Sequence, residues 1–169
     1  KNGQDNMKKT FSLLELNWGN LLSSQKEVEQ VASLFSPDKS TVYLKDDATE
    51  SKVRSLDRNG KMAEYRYILF STHGFFCPEA PVLSFVVLGR ESNPLDKDID
   101  GFITVGKWMG YNLKSNLVFL SACETGVGKV VMGEGIMGLP FALYVAGNQN
   151  TIMTLWKVDD AGAMEFSVR

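Results

Sequence analysis

The chain carries YRYILFSTHG at residues 65–74 and NLVFLSACETG at residues 116–126. Each segment opens with an apolar run of strand length, residues 65–71 and 116–121, without the polar alternation of a half-exposed strand. Strands of this kind are buried on both faces, as in a parallel sheet that is covered by helices. The two segments therefore predict the centre of an open α/β sheet.

The rest of the chain predicts further strands and helices around this centre. Apolar runs predict strands over residues 10–16, 41–44 and 151–156. Apolar spacing at i, i+3, i+4 and i+7 predicts a helix over residues 25–35. Two more helices are predicted over residues 48–56, ended by the Asn59-Gly60 pair, and over residues 135–146, kinked at Pro140. Residues 75–114, between the two central strands, are predicted to form a long excursion from the sheet that can contain a hairpin.

These elements indicate one fold class and one domain. Residues 1–169 are enough to close a single buried core without metals or disulfides. We expect an open, mostly parallel sheet of five strands, flanked by helices on both faces.

Composition and charge exclude several classes of protein. The chain has 18 Lys and Arg against 20 Asp and Glu, and scattered basic residues give no support to nucleic-acid binding. The most apolar stretch, residues 136–146, is far shorter than the ~18 residues that span a bilayer, and no signal-peptide core opens the chain. The only cysteines, Cys77 and Cys123, fit a reducing compartment better than a disulfide framework. We expect a cytoplasmic protein that binds neither nucleic acid nor membrane.

The candidate chemistry lies where the two buried strands end. Ligands of an open parallel sheet bind beyond the carboxyl ends of its strands. If these strands are neighbours, the only histidine, His73, lies beside Cys123. A thiol needs a nearby base to become a reactive thiolate, and histidine is the side chain whose ordinary pKa lies near neutrality. The amides of Gly74 and Cys123 are then placed to bind a tetrahedral oxyanion.

Other interpretations of the same residues are weaker. Taken alone, His73 is typical of a satisfied buried histidine and Cys123 of a packed core thiol, but their joint position favours catalysis. A zinc site of His73, Cys77 and Cys123 is disfavoured, because the chain has no His-x-Glu motif and no second cysteine close to either thiol. A phosphate-binding loop at residues 126–129 fails, because Val130 stands where Ser or Thr is required. We expect no metal and no cofactor.

Four motifs then resemble a known family. The chain reads THG at residues 72–74, LSACETG at 120–126, GEGIMGL at 133–139 and LWKVDD at 155–160. In this order and spacing they resemble the CHAT domain, a caspase-like peptidase type related to separase and often joined to tetratricopeptide repeats. The resemblance implies a cysteine endopeptidase that cleaves protein substrates through a thioester. It assigns His73 and Cys123 as the catalytic dyad, and the amides of Gly74 and Cys123 as the oxyanion hole.

The resemblance also bears on specificity and on context. Separase-like relatives place an acidic group at the positions of Asp159 and Asp160, where it receives a basic P1 side chain. An acidic residue there is equally typical of a helix cap, and both interpretations stay open. Residues 161–164 depart from the family's full final helix, so we expect that helix to be truncated and the chain to be part of a larger protein. An activating partner or a tetratricopeptide-repeat region outside the chain is expected, and the alternative function is a catalytically silent, caspase-like interaction module.

Overall fold

The computed structural model describes residue 18 and residues 21–75, 81–92, 94, 96–124, 138–154 and 160–168, with Cys123, Glu124 and Asp160 described by their backbone alone. The elements along these residues are α1 (Ser24–Ser33), α2 (Glu50–Arg58), β1 (Tyr67–Phe75), β2 (Phe85–Val87), β3 (Phe102–Thr104), α3 (Val105–Trp108), β4 (Leu117–Glu124), α4 (Leu139–Val145), β5 (Asn150–Met153) and α5 (Asp160–Val168).

The strands form one mixed sheet in the order β3-β2-β1-β4-β5. Its centre is parallel, because β4 pairs in parallel with β1 on one side and with β5 on the other. β2 and β3 form an antiparallel hairpin that joins the sheet beside the end of β1, through Gly74↔Val86 and Phe75↔Phe85. The predicted open α/β sheet is therefore confirmed, and the hairpin lies inside the predicted excursion.

Both central strands are longer than the sequence pattern predicted. The ladder between β1 and β4 continues through His73↔Cys123 to Gly74↔Glu124. Thr72, His73 and Gly74 therefore belong to the strand and do not follow it. Hydrophobicity marks where a strand is buried, whereas the ladder is made by backbone groups that pair whatever the side chain is.

The predicted strand over residues 41–44 is wrong. The backbone is extended at Leu44, with φ −132° and ψ 152°, but the residues pair with no strand that the structure describes. Extended residues become a strand only when a neighbouring strand accepts and donates their hydrogen bonds. The predicted strand over residues 10–16 lies outside the described residues.

The helix ends follow local chemistry. Thr49 caps α2 by accepting a hydrogen bond from the Lys52 amide, and Gly60 has the left-handed φ of +72° that the Asn59-Gly60 pair predicted. Pro140 lies in the first turn of α4, where the missing N–H has no helical partner to lose. The predicted kink at Pro140 is therefore wrong, and residues 135–137 of that prediction lie outside the described residues.

Helices cover both faces of the sheet. On one face, Val118 and Leu120 of β4 pack in an apolar core with Val53 of α2, Trp108 of α3 and Leu143 of α4. The other face lies against α1 and α5, as the hydrogen bonds described below show. In the part of the chain that the structure describes, no helix combines the length and apolarity required to cross a membrane.

Candidate active site

β1 and β4 bring the candidate dyad together. The parallel register pairs His73 with Cys123. Neighbouring strands lie about 4.8 Å apart, and residues paired directly across a parallel ladder belong to the same face of the sheet. The expected adjacency of the two strands is confirmed, and the only histidine of the chain lies next to one of its two cysteines. The chemical roles of the two residues stay predictions.

An aromatic contact holds the His73 ring from one side. The centroids of the His73 and Trp18 rings are 5.4 Å apart, with the ring planes tilted by 44°. Trp18 packs edge-on against Phe85, at 6.3 Å and 88°. Phe85 is fully buried and belongs to a cluster with Phe75 of β1 and Phe102 of β3. The imidazole therefore rests on an indole that is itself anchored in a buried aromatic cluster.

Gly74 lies where β1 and β4 approach closely. It is buried, and a Cβ added there would be 3.0 Å from the Cβ of Ala122 and 3.6 Å from the carbonyl oxygen of Phe85. A larger residue at position 74 would push against β4, so packing gives one reason for a glycine next to His73. This packing reason is separate from the predicted oxyanion hole. That the amides of Gly74 and Cys123 bind an oxyanion stays a prediction.

A layer of polar side chains lies two residues before His73 and Cys123 in the two strands. In the ladder, Ser71 pairs with Ser121, and the Ser71 hydroxyl donates to the Glu27 carboxylate at 2.6 Å. The Ser167 hydroxyl of α5 donates to the other oxygen of the same carboxylate. Glu27 is only 1% exposed. A buried carboxylate of α1 thus joins the strand of His73 to the last described helix.

Two threonines fix the neighbouring backbone. The Thr72 hydroxyl donates to the carbonyl oxygen of Val87 and so ties β1 to the hairpin. The Thr154 hydroxyl, just after β5, donates to the carbonyl oxygen of Ala122 at 2.8 Å. These bonds hold the strand ends that carry His73 and Cys123.

A second buried carboxylate anchors the hairpin loop. Glu50 of α2 is fully buried and forms ion pairs with Arg54 at 3.1 Å and Lys107 at 2.8 Å. It also accepts hydrogen bonds from the amides of Asp100 and Gly101, both at 3.0 Å. Burial alone would raise the pKa of Asp100, but the hydrogen bonds from Lys107 and from a backbone amide hold that pKa below its ordinary value.

The other candidate residues are placed as follows. α5 begins at Asp160, but Asp159 and the Asp160 side chain lie outside the described residues, so neither substrate binding nor capping is tested. Cys77 lies outside them as well. Among the described residues, no three His, Cys, Asp or Glu side chains are grouped so that they could hold a metal ion.

Sequence reasoning missed Trp18 and the hydrogen bonds of Glu27. Both are contacts between residues far apart in the chain, and neither produces a local pattern. The sequence holds one weak sign of a buried Glu27. This charged residue directly precedes Val28, which belongs to the apolar face predicted for the helix.

One of three comparisons with known proteins agrees with the motif resemblance. A family model described as the CHAT domain matches residues 3–169. Searches against curated proteins and against solved structures gave no match. Because the family model covers nearly the whole chain, the chain belongs to the CHAT domain family.

Proposed function

We propose that this chain is a cysteine endopeptidase domain that hydrolyses peptide bonds in protein substrates, with His73 as general base and Cys123 as nucleophile. The observation that carries the proposal is the parallel register that pairs the two residues at the ends of neighbouring central strands. Membership of a family whose domain is caspase-like and peptidase-related supports it.

The proposed reaction has two stages. In the first, His73 accepts the thiol proton of Cys123, and the thiolate attacks the scissile carbonyl carbon. The amides of Gly74 and Cys123 stabilise the oxyanion, the C–N bond breaks, and His73 donates the proton to the leaving amine. In the second, His73 deprotonates a water molecule that attacks the thioester, the C–S bond breaks, and the acid product leaves while Cys123 regains its proton.

Asp159 and Asp160 are the proposed specificity residues. Their carboxylates follow the last predicted strand, and a carboxylate pairs with a lysine or arginine at P1 of a substrate. Replacing both by asparagine is expected to remove a preference for basic P1 residues. An unchanged preference supports their other interpretation as helix-capping residues.

The wider context is proposed on composition and on the family. The two thiols fit a reducing compartment, and we propose a cytoplasmic protein. We also propose that residues 1–169 act as one domain of a larger protein, which a partner or a tetratricopeptide-repeat region outside the chain activates.

The test is mass-spectrometric mapping of cysteine labelling by acyloxymethyl ketone peptides with Arg, Asp or Leu at P1, on the complete protein with its activator. Within residues 1–169 Cys77 is the only other thiol, and its labelling serves as an internal reference. We expect labelling of Cys123 that depends on His73, is lost in His73→Ala, and is retained in the matched control Cys77→Ser.

The proposal is contradicted when both of two results are obtained. The first is an absence of labelling at Cys123 under these conditions. The second is a Cys123→Ala protein that retains its full biological function. Both are expected of a catalytically silent interaction module with the same fold.

A further inference from the structure

Trp18 is the only aromatic side chain with a ring contact to His73 among the residues that the structure describes. The contact is 5.4 Å between centroids, within the range in which aromatic rings attract one another. Trp18 is partly buried and packs on the apolar cluster of Phe75, Phe85, Val87 and Phe102.

Buried aromatic side chains of the hairpin pack against Trp18. Its indole meets Phe85 edge-on at 88°, and Phe85 meets Phe102 edge-on at 5.0 Å and 76°. Phe85 and Phe102 both belong to the strands of the hairpin and are at most 2% exposed. The packing of the hairpin therefore sets where the indole lies against the imidazole.

We propose that Trp18 is a positioning residue for His73, and that its indole holds the imidazole in the orientation in which it serves Cys123. The inference rests on the proposed peptidase function. An imidazole on a strand rotates about two side-chain bonds, and a base acts only when its nitrogen is aimed at the proton that it removes. The indole restricts these rotations from one side. When His73 accepts the thiol proton, its imidazole becomes a cation. An indole face within about 6 Å attracts such a cation.

The test compares Trp18→Ala and Trp18→Phe with the wild type, using the rate of Cys123 labelling by a peptidyl acyloxymethyl ketone in the complete protein. In Trp18→Ala we expect the maximal labelling rate to fall about tenfold, because misplaced catalytic groups lose rate. The half-saturating reagent concentration is expected to stay within about twofold, since Trp18 orients the base and does not bind the peptide. Trp18→Phe restores most of the rate, because a ring remains against His73.

Phe70→Leu is the matched control. Phe70 lies in β1 with His73, but its ring packs edge-on against Trp108 in the apolar core on the opposite face of the sheet. Its labelling rate is expected to stay near that of the wild type. Equal losses in Phe70→Leu and Trp18→Ala overturn the proposal, because a general loosening of β1 then explains both.

A spectroscopic measurement separates positioning from folding. His73 is the only histidine in residues 1–169. In the NMR spectrum, its ring protons are identified as the resonances that disappear in His73→Ala. Ring currents of Trp18 are expected to displace these resonances in the wild type, and the displacement is lost in Trp18→Ala.

The remaining outcomes are distinct. Wild-type labelling that does not depend on His73 overturns the proposed function, and the role of Trp18 with it. His73-dependent labelling that is unchanged in Trp18→Ala, or histidine resonances that do not move, overturns the role of Trp18 alone.

Discussion

Replacing Gly74 by alanine places a methyl carbon 3.0 Å from the Cβ of Ala122 and 3.6 Å from the carbonyl oxygen of Phe85. Favourable carbon contacts lie at about 3.5–4.0 Å, so the first distance is repulsive. Neither neighbour is the far end of a flexible side chain, so β1 and β4 must separate by a few tenths of an ångström. Overpacking of this kind costs about 1–3 kcal/mol, and removing a strand glycine returns about 0.5–1 kcal/mol. We expect Gly74→Ala to lower the free energy of unfolding by about 1–2 kcal/mol.

A double-mutant cycle with Ala122→Gly isolates this contact. In the Ala122→Gly background the methyl group introduced at position 74 has space, so Gly74→Ala is expected to stabilise by about 0.5–1 kcal/mol. Urea unfolding of the four proteins then gives a coupling energy of about 2 kcal/mol. Gly106→Ala is the matched control, because its Cβ would meet only the Thr104 hydroxyl oxygen, at 3.9 Å.

The cycle can refute the packing argument. If Gly74→Ala is as destabilising in the Ala122→Gly background as in the wild type, the contact with Ala122 does not explain the glycine. The approach of the added methyl group to the Phe85 carbonyl oxygen would then be the better explanation of the loss. Labelling of Cys123 in the stable double variant measures separately whether the Gly74 amide still functions.

Three further predictions concern stability away from the dyad. Glu50→Ala leaves the amides of Asp100 and Gly101 without their acceptor, whereas Arg54 and Lys107 keep ion pairs with Asp96 and Asp100. It is expected to cost about 1–3 kcal/mol in urea unfolding, so a loss below ~1 kcal/mol contradicts the network. Burial raises the pKa of Tyr111 to about 12, so folding favours the neutral phenol and stability falls as the pH rises from about 10 towards 12. Unfolding measured against pH should lose this fall in Tyr111→Phe, and an identical profile contradicts it. Thr49→Ala removes the cap on the Lys52 amide and is expected to cost about 1 kcal/mol, whereas an unchanged midpoint contradicts the cap.

The sequence predicts the centre of this fold because helices lie against both faces of the two central strands, although β1 is only partly buried before Gly74. The side chains of these strands are apolar along continuous runs, and this pattern needs no knowledge of the partner strand. The pairing of His73 with Cys123 follows from the same logic, since each residue lies at the carboxyl end of its run. Family motifs then identify the CHAT domain, which the family model confirms.

The predictions fail where structure depends on a partner that no local pattern reveals. Residues 41–44 have strand-forming side chains, but the structure gives them no described pairing strand. Pro140 predicts a kink only if the helix starts several residues earlier, and the start of α4 at Leu139 places it in the first turn. The contact of Trp18 with His73 is also long-range, and it is visible only after the hairpin and β1 are placed together.

Glu27 shows how the candidate site depends on parts of the chain remote from it. Its carboxylate is 1% exposed and accepts hydroxyl hydrogen bonds from both Ser71 and Ser167. Withdrawing Ser167 by a displacement of α5 removes one donor from a buried acceptor, which costs about 1–3 kcal/mol when no other group replaces it. Because the same carboxylate holds Ser71, two residues before His73 in β1, it also resists a shift of that strand. The positions of α5 and of the strand of His73 are therefore linked in energy through one shared acceptor, although the two elements are far apart in sequence.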